Sequence, residues 1–264
     1  MRALARIRKN VNIFLLPTGF QIERSRDYLP FLKPVPKKLL RSNMQQKQTN
    51  DFLLRFGRDC DFLIDVGANR GSFTDHFQKI NSKVKAMLVE PIPELCDALK
   101  LKYKSNPGVS IHQYAVSDKV GESIFHVTAN DGQSSSLLSI GSRHLEAAPH
   151  AAEIQTIKVE TTTLDELCLD KDFRKGFLKI DVQGNDLPAL GGALKVLKQI
   201  AAIHIEVSIQ TLYDGDSVAF KVWEFLDKNE FVLYGIDPWF RDPFSNGELL
   251  QADFFFVRKN LLIK

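Results

Sequence analysis

The sequence predicts an open, mostly parallel α/β sheet, and three observations carry that prediction. Apolar stretches of strand length alternate with amphipathic helical patterns along much of the chain. One stretch, Phe62 to Val66, runs into a glycine-bent loop, Gly67-Ala68-Asn69-Arg70-Gly71, with a helical pattern behind it. Acids close several strands: Asp65, Glu90 and Asp181 stand at strand ends, and Glu206 lies one residue further inside its strand. Ligands of open α/β sheets bind outside the carboxyl ends of the strands, so these acids outline a site.

The elements follow in order. A helix is expected from about Met44 to Phe56, leading into the first strand. After the loop, Phe73, Phe77 and Ile80 recur at i, i+4 and i+7, which is one face of a helix. Val84 to Val89 reads as the second strand and ends at Glu90. Pro91 and Pro93 open the next helix, a position that tolerates proline, and Leu95, Leu99 and Tyr103 mark its face. Val109 to Val116 reads as a third strand, and strand–helix–strand order implies a parallel sheet.

The pattern then breaks. Residues 117–163 read as an insertion of hairpins and loops, with strands over Gly121 to Val127 and Ile154 to Thr161 and Asn130-Asp131-Gly132 between them. Thr163-Leu164-Asp165-Glu166 is a capping box. Alternation resumes with the strand Phe177 to Ile180, which ends at Asp181. A helix starts near Asn185 and carries Leu187, Leu190, Leu194 and Leu197. The strand Ile200 to Val207 and a helix with Val218, Val222, Phe225 and Leu226 follow. Phe231 to Ile236 and Asp253 to Val257 are the last strands, joined by a loop containing Trp239, Phe240, Arg241 and Asp242.

Length and composition fit one large domain with an appendage: 264 residues, 44% hydrophobic and 25% charged. No apolar run approaches the ~18–20 residues a membrane span needs. Residues 1–50 form a basic N-terminal extension with eleven basic and two acidic side chains, net +9; the whole chain is +3, so the remainder carries −6. Such an extension suits peripheral contact with an anionic membrane surface. Arg2, Arg6, Arg8 and Lys9 precede the short apolar stretch Val11 to Leu16 with no small-residue cleavage site behind it, and the segment is expected to be retained. Cys60, Cys96 and Cys168 have no paired spacing and suit small core positions in a reducing, cytoplasmic compartment. Residues 51–264 are then the main domain.

The loop discriminates among cofactors. In a dinucleotide fingerprint a second glycine lets the backbone touch a pyrophosphate; here Asn69 stands in that place. Asp65 would repel a pyrophosphate and suits a cofactor with a cationic amine. Glu90, about 20 residues on, fits the ribose hydroxyls. Gly67 and Gly71 allow the tight turn, and the following helix turns its positive end to the ligand. An adenosine cofactor with a cationic amino-acid tail is S-adenosylmethionine. A nucleotide-dependent oxidoreductase is the competing reading, and the missing glycine counts against it.

An ordered series of motifs resembles the FkbM-type methyltransferases. It consists of Asp65-Val66-Gly67-Ala68-Asn69 with Gly71, Glu90-Pro91 with Pro93, Ala115-Val116-Ser117-Asp118, Thr163-Leu164-Asp165, Leu178 to Gly184, Gly191-Gly192-Ala193 and Ile205-Glu206-Val207. The resemblance runs from about residue 60 to 258. It implies a class I methyltransferase fold: a seven-stranded Rossmann-like sheet, one antiparallel strand, a C-terminal antiparallel hairpin, and a loop 238–252 over the active edge. It also implies O-methylation of a hydroxyl on a saccharide or secondary metabolite, hence polysaccharide modification as the expected setting. The family commonly has Glu where Gln183 stands.

Within that reading, Asp181 and Glu206 are the catalytic candidates, as general base or as ligands of Mg²⁺. Asp65, Gly67, Asn69, Gly71, Glu90, Ser117 and Asp118 are expected at the cofactor. Ser134, Ser135, Trp239 and Arg241 are expected at a polyhydroxyl acceptor, through hydrogen bonds, stacking on a sugar face and capture of an anionic group. His126, His144 and His150 are expected to be spectators of the insertion. No nucleic-acid partner is expected: where base methyltransferases carry Asn/Asp-Pro-Pro-aromatic, this chain reads Asp181-Val182-Gln183-Gly184. A protein that binds the cofactor without catalysis is the remaining alternative, to which Gln183 lends weight.

Overall fold

A computed structural model describes residues 11–16, 19–24 and 48–262. The chain divides into two compact units, residues 1–44 and 45–264. In the first, β1 (Val11–Leu16) and β2 (Gly19–Arg24) form an antiparallel hairpin. The apolar run Val11 to Leu16 is therefore a strand; the proline-bearing remainder of the extension lies outside the described residues. The expected helix over 44–56 is α-helical over residues 48–52 and continues as a π-helical turn, Leu53–Gly57, with residues before 48 outside the described set.

The second unit is built on β3 (Phe62–Val66), β4 (Lys85–Val89), β5 (Val109–His112), β9 (Gly176–Ile180), β10 (Ile200–Ser208), β11 (Phe231–Arg241) and β12 (Leu249–Arg258). Their order in the sheet is β11-β12-β10-β9-β3-β4-β5. Only β12 runs antiparallel, between β10 and β11. This is the seven-stranded arrangement with one antiparallel strand that the resemblance implies, with strand order reversing beside β3.

Central parallel strands are covered on both faces, so they read as continuous apolar runs. All five residues of β3 and all five of β9 are buried. Leu63, Ile64, Phe177 and Leu178 are fully enclosed, each stabilising the fold by about 1.5–3 kcal/mol. One face meets α1 (Ser72–Ile80), where Phe73, Phe77 and Ile80 join Leu63, Leu88 and Phe177. The helix α2 (Pro93–Lys102) has Pro in its first turn and buries Leu95, Cys96 and Leu99. The opposite face packs α5 (Asp186–Gly191) and α6 (Ala219–Lys228), through Ala189, Leu190, Val222 and Leu226. Cys60, Cys96 and Cys168 are all free and buried.

Residues 115–163 carry a second, three-stranded sheet, β6-β8-β7. It contains β6 (Ala115–Val116), β7 (Gly121–Thr128) and β8 (Glu153–Thr162), with α3 (Ser142–Ala147) between β7 and β8. The N-cap half of the capping box forms: Thr163 Oγ1 accepts from the Glu166 N–H at 3.1 Å to start α4 (Leu164–Leu167).

Three expectations change. The stretch 109–116 is two strands, because the chain leaves the main sheet after His112 and Ala115–Val116 pairs with Thr161–Thr162 of the second sheet. The leucine pattern after Asn185 is broken at Gly191–Gly192, and Val196–Gln199 is a separate 3₁₀ turn. Trp239, Phe240 and Arg241 are not on a loop: β11 runs on to Arg241, paired with Leu249 to Ala252, and the connection shrinks to residues 242–248. Among the described residues no helix is long and apolar enough to cross a membrane.

Candidate functional site

The loop after β3 is shaped by backbone. Gly67 has φ 71° and Gly71 has φ 73°, both left-handed. A Cβ on Gly67 would lie 1.9 Å from the Asp181 carbonyl oxygen, so only glycine lets the two turns touch. The N–H groups of Gly67 and Ala68 both donate to the Val89 carbonyl, at 2.9 and 3.1 Å. Asn69 is left-handed at φ 48°, a conformation Asn reaches more readily than most residues. Its N–H donates to Glu90 Oε2 at 2.8 Å, and its Oδ1 accepts from the Arg70 N–H. The other Glu90 oxygen accepts from the Ile92 N–H at 3.0 Å. Burial pushes the Glu90 carboxyl up to about 7, against the pull of the two N–H donors.

Asp65 lies beneath this loop. It is fully buried, its Oδ2 accepts from Thr74 Oγ1 at 2.6 Å, and its Oδ1 is 3.5 Å from Lys179 Nζ. Its carboxylate ties the loop to α1 and to the neighbouring strand, and it is not among the residues that line the cleft.

The turn after β9 is shaped by side chains. Asp181 Oδ1 accepts from Gln183 Nε2 at 2.7 Å, and Glu206 Oε1 accepts from the same nitrogen at 2.5 Å. Gln183 Oε1 accepts from the Tyr213 hydroxyl at 2.6 Å. The Gln183 carbonyl accepts from Ser136 Oγ at 2.7 Å. Gln183 stands at φ 54°, which costs an L-residue roughly 1–2 kcal/mol; these four contacts offset that strain. Burial, and after it the charges of Asp181 and Asp253, hold the Glu206 carboxyl well above the usual carboxylate range. Asp186, at the start of α5, is pushed up the same way, by burial and then by Asp181.

Lys179 joins the two turns. Its Nζ donates to the carbonyls of Gly67 at 2.8 Å and Val66 at 3.3 Å, and lies 3.4 Å from Asp181 Oδ2. Burial alone would depress its ammonium, but Asp181 and Asp65 outweigh that and its affinity for the proton is raised.

A cleft of about 840 Å³ opens over these strand ends, within the ~300–1,000 Å³ typical of small-molecule sites. Gly67, Asn69, Glu90, Asp181 and Glu206 line it, as do Ser134, Ser135 and Trp239 from the acceptor set. Ser135 Oγ accepts from the Thr128 N–H, Ser134 Oγ accepts from Asn130 Nδ2, and Trp239 stacks on Phe240. The structure does not bring Gly71, Ser117, Asp118 or Arg241 to the cleft wall. Gly71 packs against Tyr103, whose hydroxyl donates to its carbonyl at 3.0 Å. Ser117 and Asp118 lie against Gly191 and Gly192, and the Ser117 N–H is taken by the Thr162 carbonyl. Arg241 donates to the Gly247 carbonyl on the outer strand.

Of the histidines, His126 pairs with Glu153 at 2.9 Å. His144 and His150 line the cleft, and burial pushes His144 down to about 4. His204, unnoticed in the sequence, also lines it and sits 3.4 Å from Asp253. Lys179 and Tyr213 were equally silent. Lys179 had one local signal: a lysine two residues before a strand-end acid shares its face.

Mg²⁺ at Asp181 and Glu206 is not supported by the donor set. The Gln183 amide stands between the two carboxylates, and an amide nitrogen donates hydrogen bonds and does not ligate. Among the described residues no group of three or more His, Cys, Asp or Glu is arranged to hold a metal.

Residues 65–233 match the model of the methyltransferase FkbM domain. The curated 2-O-methyltransferase NoeI of Sinorhizobium fredii is 25% identical over 177 residues, covering 64% of this chain and 72% of that protein. Among solved structures, a SAM-dependent methyltransferase from Aquifex aeolicus is 12% identical with a TM-score of 0.43, covering 86% of this chain and 100% of that one. The magnesium protoporphyrin IX methyltransferase of Synechocystis, solved with bound SAM, is 10% identical with a TM-score of 0.42, covering 88% and 94%.

Proposed function

The chain belongs to the FkbM methyltransferase family, and on that premise we propose that it O-methylates a saccharide hydroxyl, with residues 51–264 as the catalytic domain and 117–163 shaping the acceptor side. Its methyl donor is S-adenosylmethionine. The observation that carries the reading is one cleft lined at once by the glycine loop, by the Asp181–Gln183–Glu206 cluster and by Ser134, Ser135 and Trp239. Similarity to a 2-O-methyltransferase supports oxygen as the acceptor atom.

S-adenosylmethionine, when bound, supplies an electrophilic methyl on sulfur and leaves as the neutral thioether. The loop at Gly67 and Asn69 holds it by backbone approach, and Glu90 receives its ribose. Asp65 acts at one remove: with its oxygens committed to Thr74 and Lys179, it holds the loop in shape and is a positioning residue. Asp181, one-third exposed on the cleft side, takes the hydroxyl proton as the acceptor oxygen bonds to the methyl carbon. Burial disfavours the charged form of Glu206, so it is assigned the role of hydrogen-bonding partner and Asp181 that of base. Holding the reactants in line at about 3–3.5 Å supplies much of the acceleration. Ser134 and Ser135 hydrogen-bond sugar hydroxyls, and the Trp239 ring offers a stacking face.

A panel of acceptor glycans incubated with S-adenosylmethionine labelled in the methyl group tests this. Label should enter an ether on a sugar hydroxyl. Tight binding of NAD(P)H with no response to S-adenosylmethionine would sink it.

A further inference from the structure

Asp181 directly follows β9 and Glu206 lies two residues before the end of the neighbouring β10, and the register Ile180↔Ile205 sets the two residues side by side at the carboxyl edge of the sheet. Such a pair needs something between it that donates hydrogen bonds. In this chain that something is one nitrogen, Gln183 Nε2, which gives one hydrogen to Asp181 Oδ1 and the other to Glu206 Oε1. We propose that the Gln183 amide does here the bridging work of a divalent cation, that methyl transfer in this chain is metal-independent, and that Gln183→Glu alone would turn the site into a cation site. The proposal rests on the roles given above to Asp181 and Glu206.

Three observations carry it. The amide is not free to turn its oxygen toward a cation. Gln183 Oε1 is held at 2.6 Å by the hydroxyl of Tyr213, which is itself fully buried and otherwise reaches the Ser134 carbonyl at the longer distance of 3.2 Å. Flipping the amide would also set its oxygen against the Asp181 oxygen at 2.7 Å, an acceptor facing an acceptor. The backbone is committed as well. Gln183 holds a left-handed φ of 54° between Val182 and Gly184, and Ser136 from the inserted segment grips its carbonyl. A strained residue persists only where its surroundings over-determine it, and here every such contact aims the amide nitrogen at the two acids. Finally, Lys179 supplies the fixed charge that a cation would otherwise bring, 3.4 Å from Asp181 Oδ2. The oxygen ligands that Mg²⁺ needs in near-octahedral array number two side chains at this turn, and Glu at 183 would make three.

Titration of the full chain with Mn²⁺ as probe, followed by calorimetry and by loss of the free-ion resonance signal, tests the proposal without an acceptor. The native chain should show no saturable binding. Gln183→Glu should bind one Mn²⁺ at least tenfold more tightly than the native chain, and Gln183→Leu should not. S-adenosylhomocysteine affinity within about threefold of native shows that each variant is folded. A native chain that binds one Mn²⁺, lost in both Asp181→Asn and Glu206→Gln, overturns the proposal whatever the variants at 183 do. So does a folded Gln183→Glu chain with no gain in Mn²⁺ affinity. Failure of the glycan screen would instead strike the acceptor and leave these isotherms as they are.

Discussion

The turn after β3 and the turn after β9 are written alike. Each follows a fully buried strand, carries an acid at the strand end, and contains a non-glycine residue in the left-handed region, Asn69 in one and Gln183 in the other. Their acids differ in fate. Asp65 is entirely enclosed and tied to Thr74 and Lys179, whereas Asp181 reaches the cleft with one-third of its side chain exposed. The first turn presents backbone and keeps its carboxylate as a brace; the second presents side chains and turns its carboxylate to the cleft. Lys179 braces one acid and faces the other, so the two turns form a single unit. A strand-end acid therefore marks a site without saying on which side of the wall it stands.

The sharpest way to break the comparison is Asp181→Asn. Turnover should fall by about 10²–10⁴-fold, while S-adenosylhomocysteine affinity measured by calorimetry stays within about threefold. Equal loss of both would make the second turn another cofactor loop. Lys179→Met attacks the tie between the turns. It leaves Asp65 buried without its cation, which should cost about 3–5 kcal/mol of stability in chemical denaturation, with Lys179→Arg recovering part of it.

Glu90 sharpens the first turn through pH. Its carboxyl lies near 7 in the folded chain against 4.5 for the free group. The folded form therefore holds an extra proton between those values, and this contribution, largest below about 4.5, is lost as pH rises through about 7. It amounts to up to about 3 kcal/mol. Thermal melts should fall over that window in the native chain and be flatter in Glu90→Gln. The smallest effect is expected at the rim: Trp239→Ala should weaken the accepted glycan by about 1 kcal/mol and raise KM with little change in kcat.

Much of this molecule was legible because it is local. The loop glycines, the capping box at Thr163, the proline-led helix and the buried strands all depend on residues within a few positions of each other. The sheet order followed from the family resemblance, since no short-range pattern states which strands are neighbours. Legibility failed where a partner is distant. The split of 109–116 depends on pairing with Thr161–Thr162, and the long β11 depends on Leu249 to Ala252. Ser117, Asp118 and Arg241 lie close in sequence to cleft residues, but backbone pairing and packing against Gly191 and Gly192 turn them elsewhere.

Sequence alone determined that this chain makes a doubly wound sheet with a glycine loop for an adenosine cofactor, because strand length, turn chemistry and apolar period are properties of contiguous residues. Only the tertiary structure decided which acid is enclosed as a brace and which reaches the cleft. The partners that make the difference, Thr74 for Asp65 and Gln183 with Tyr213 for Asp181 and Glu206, come from other elements, and burial and charge act through space and not along the chain.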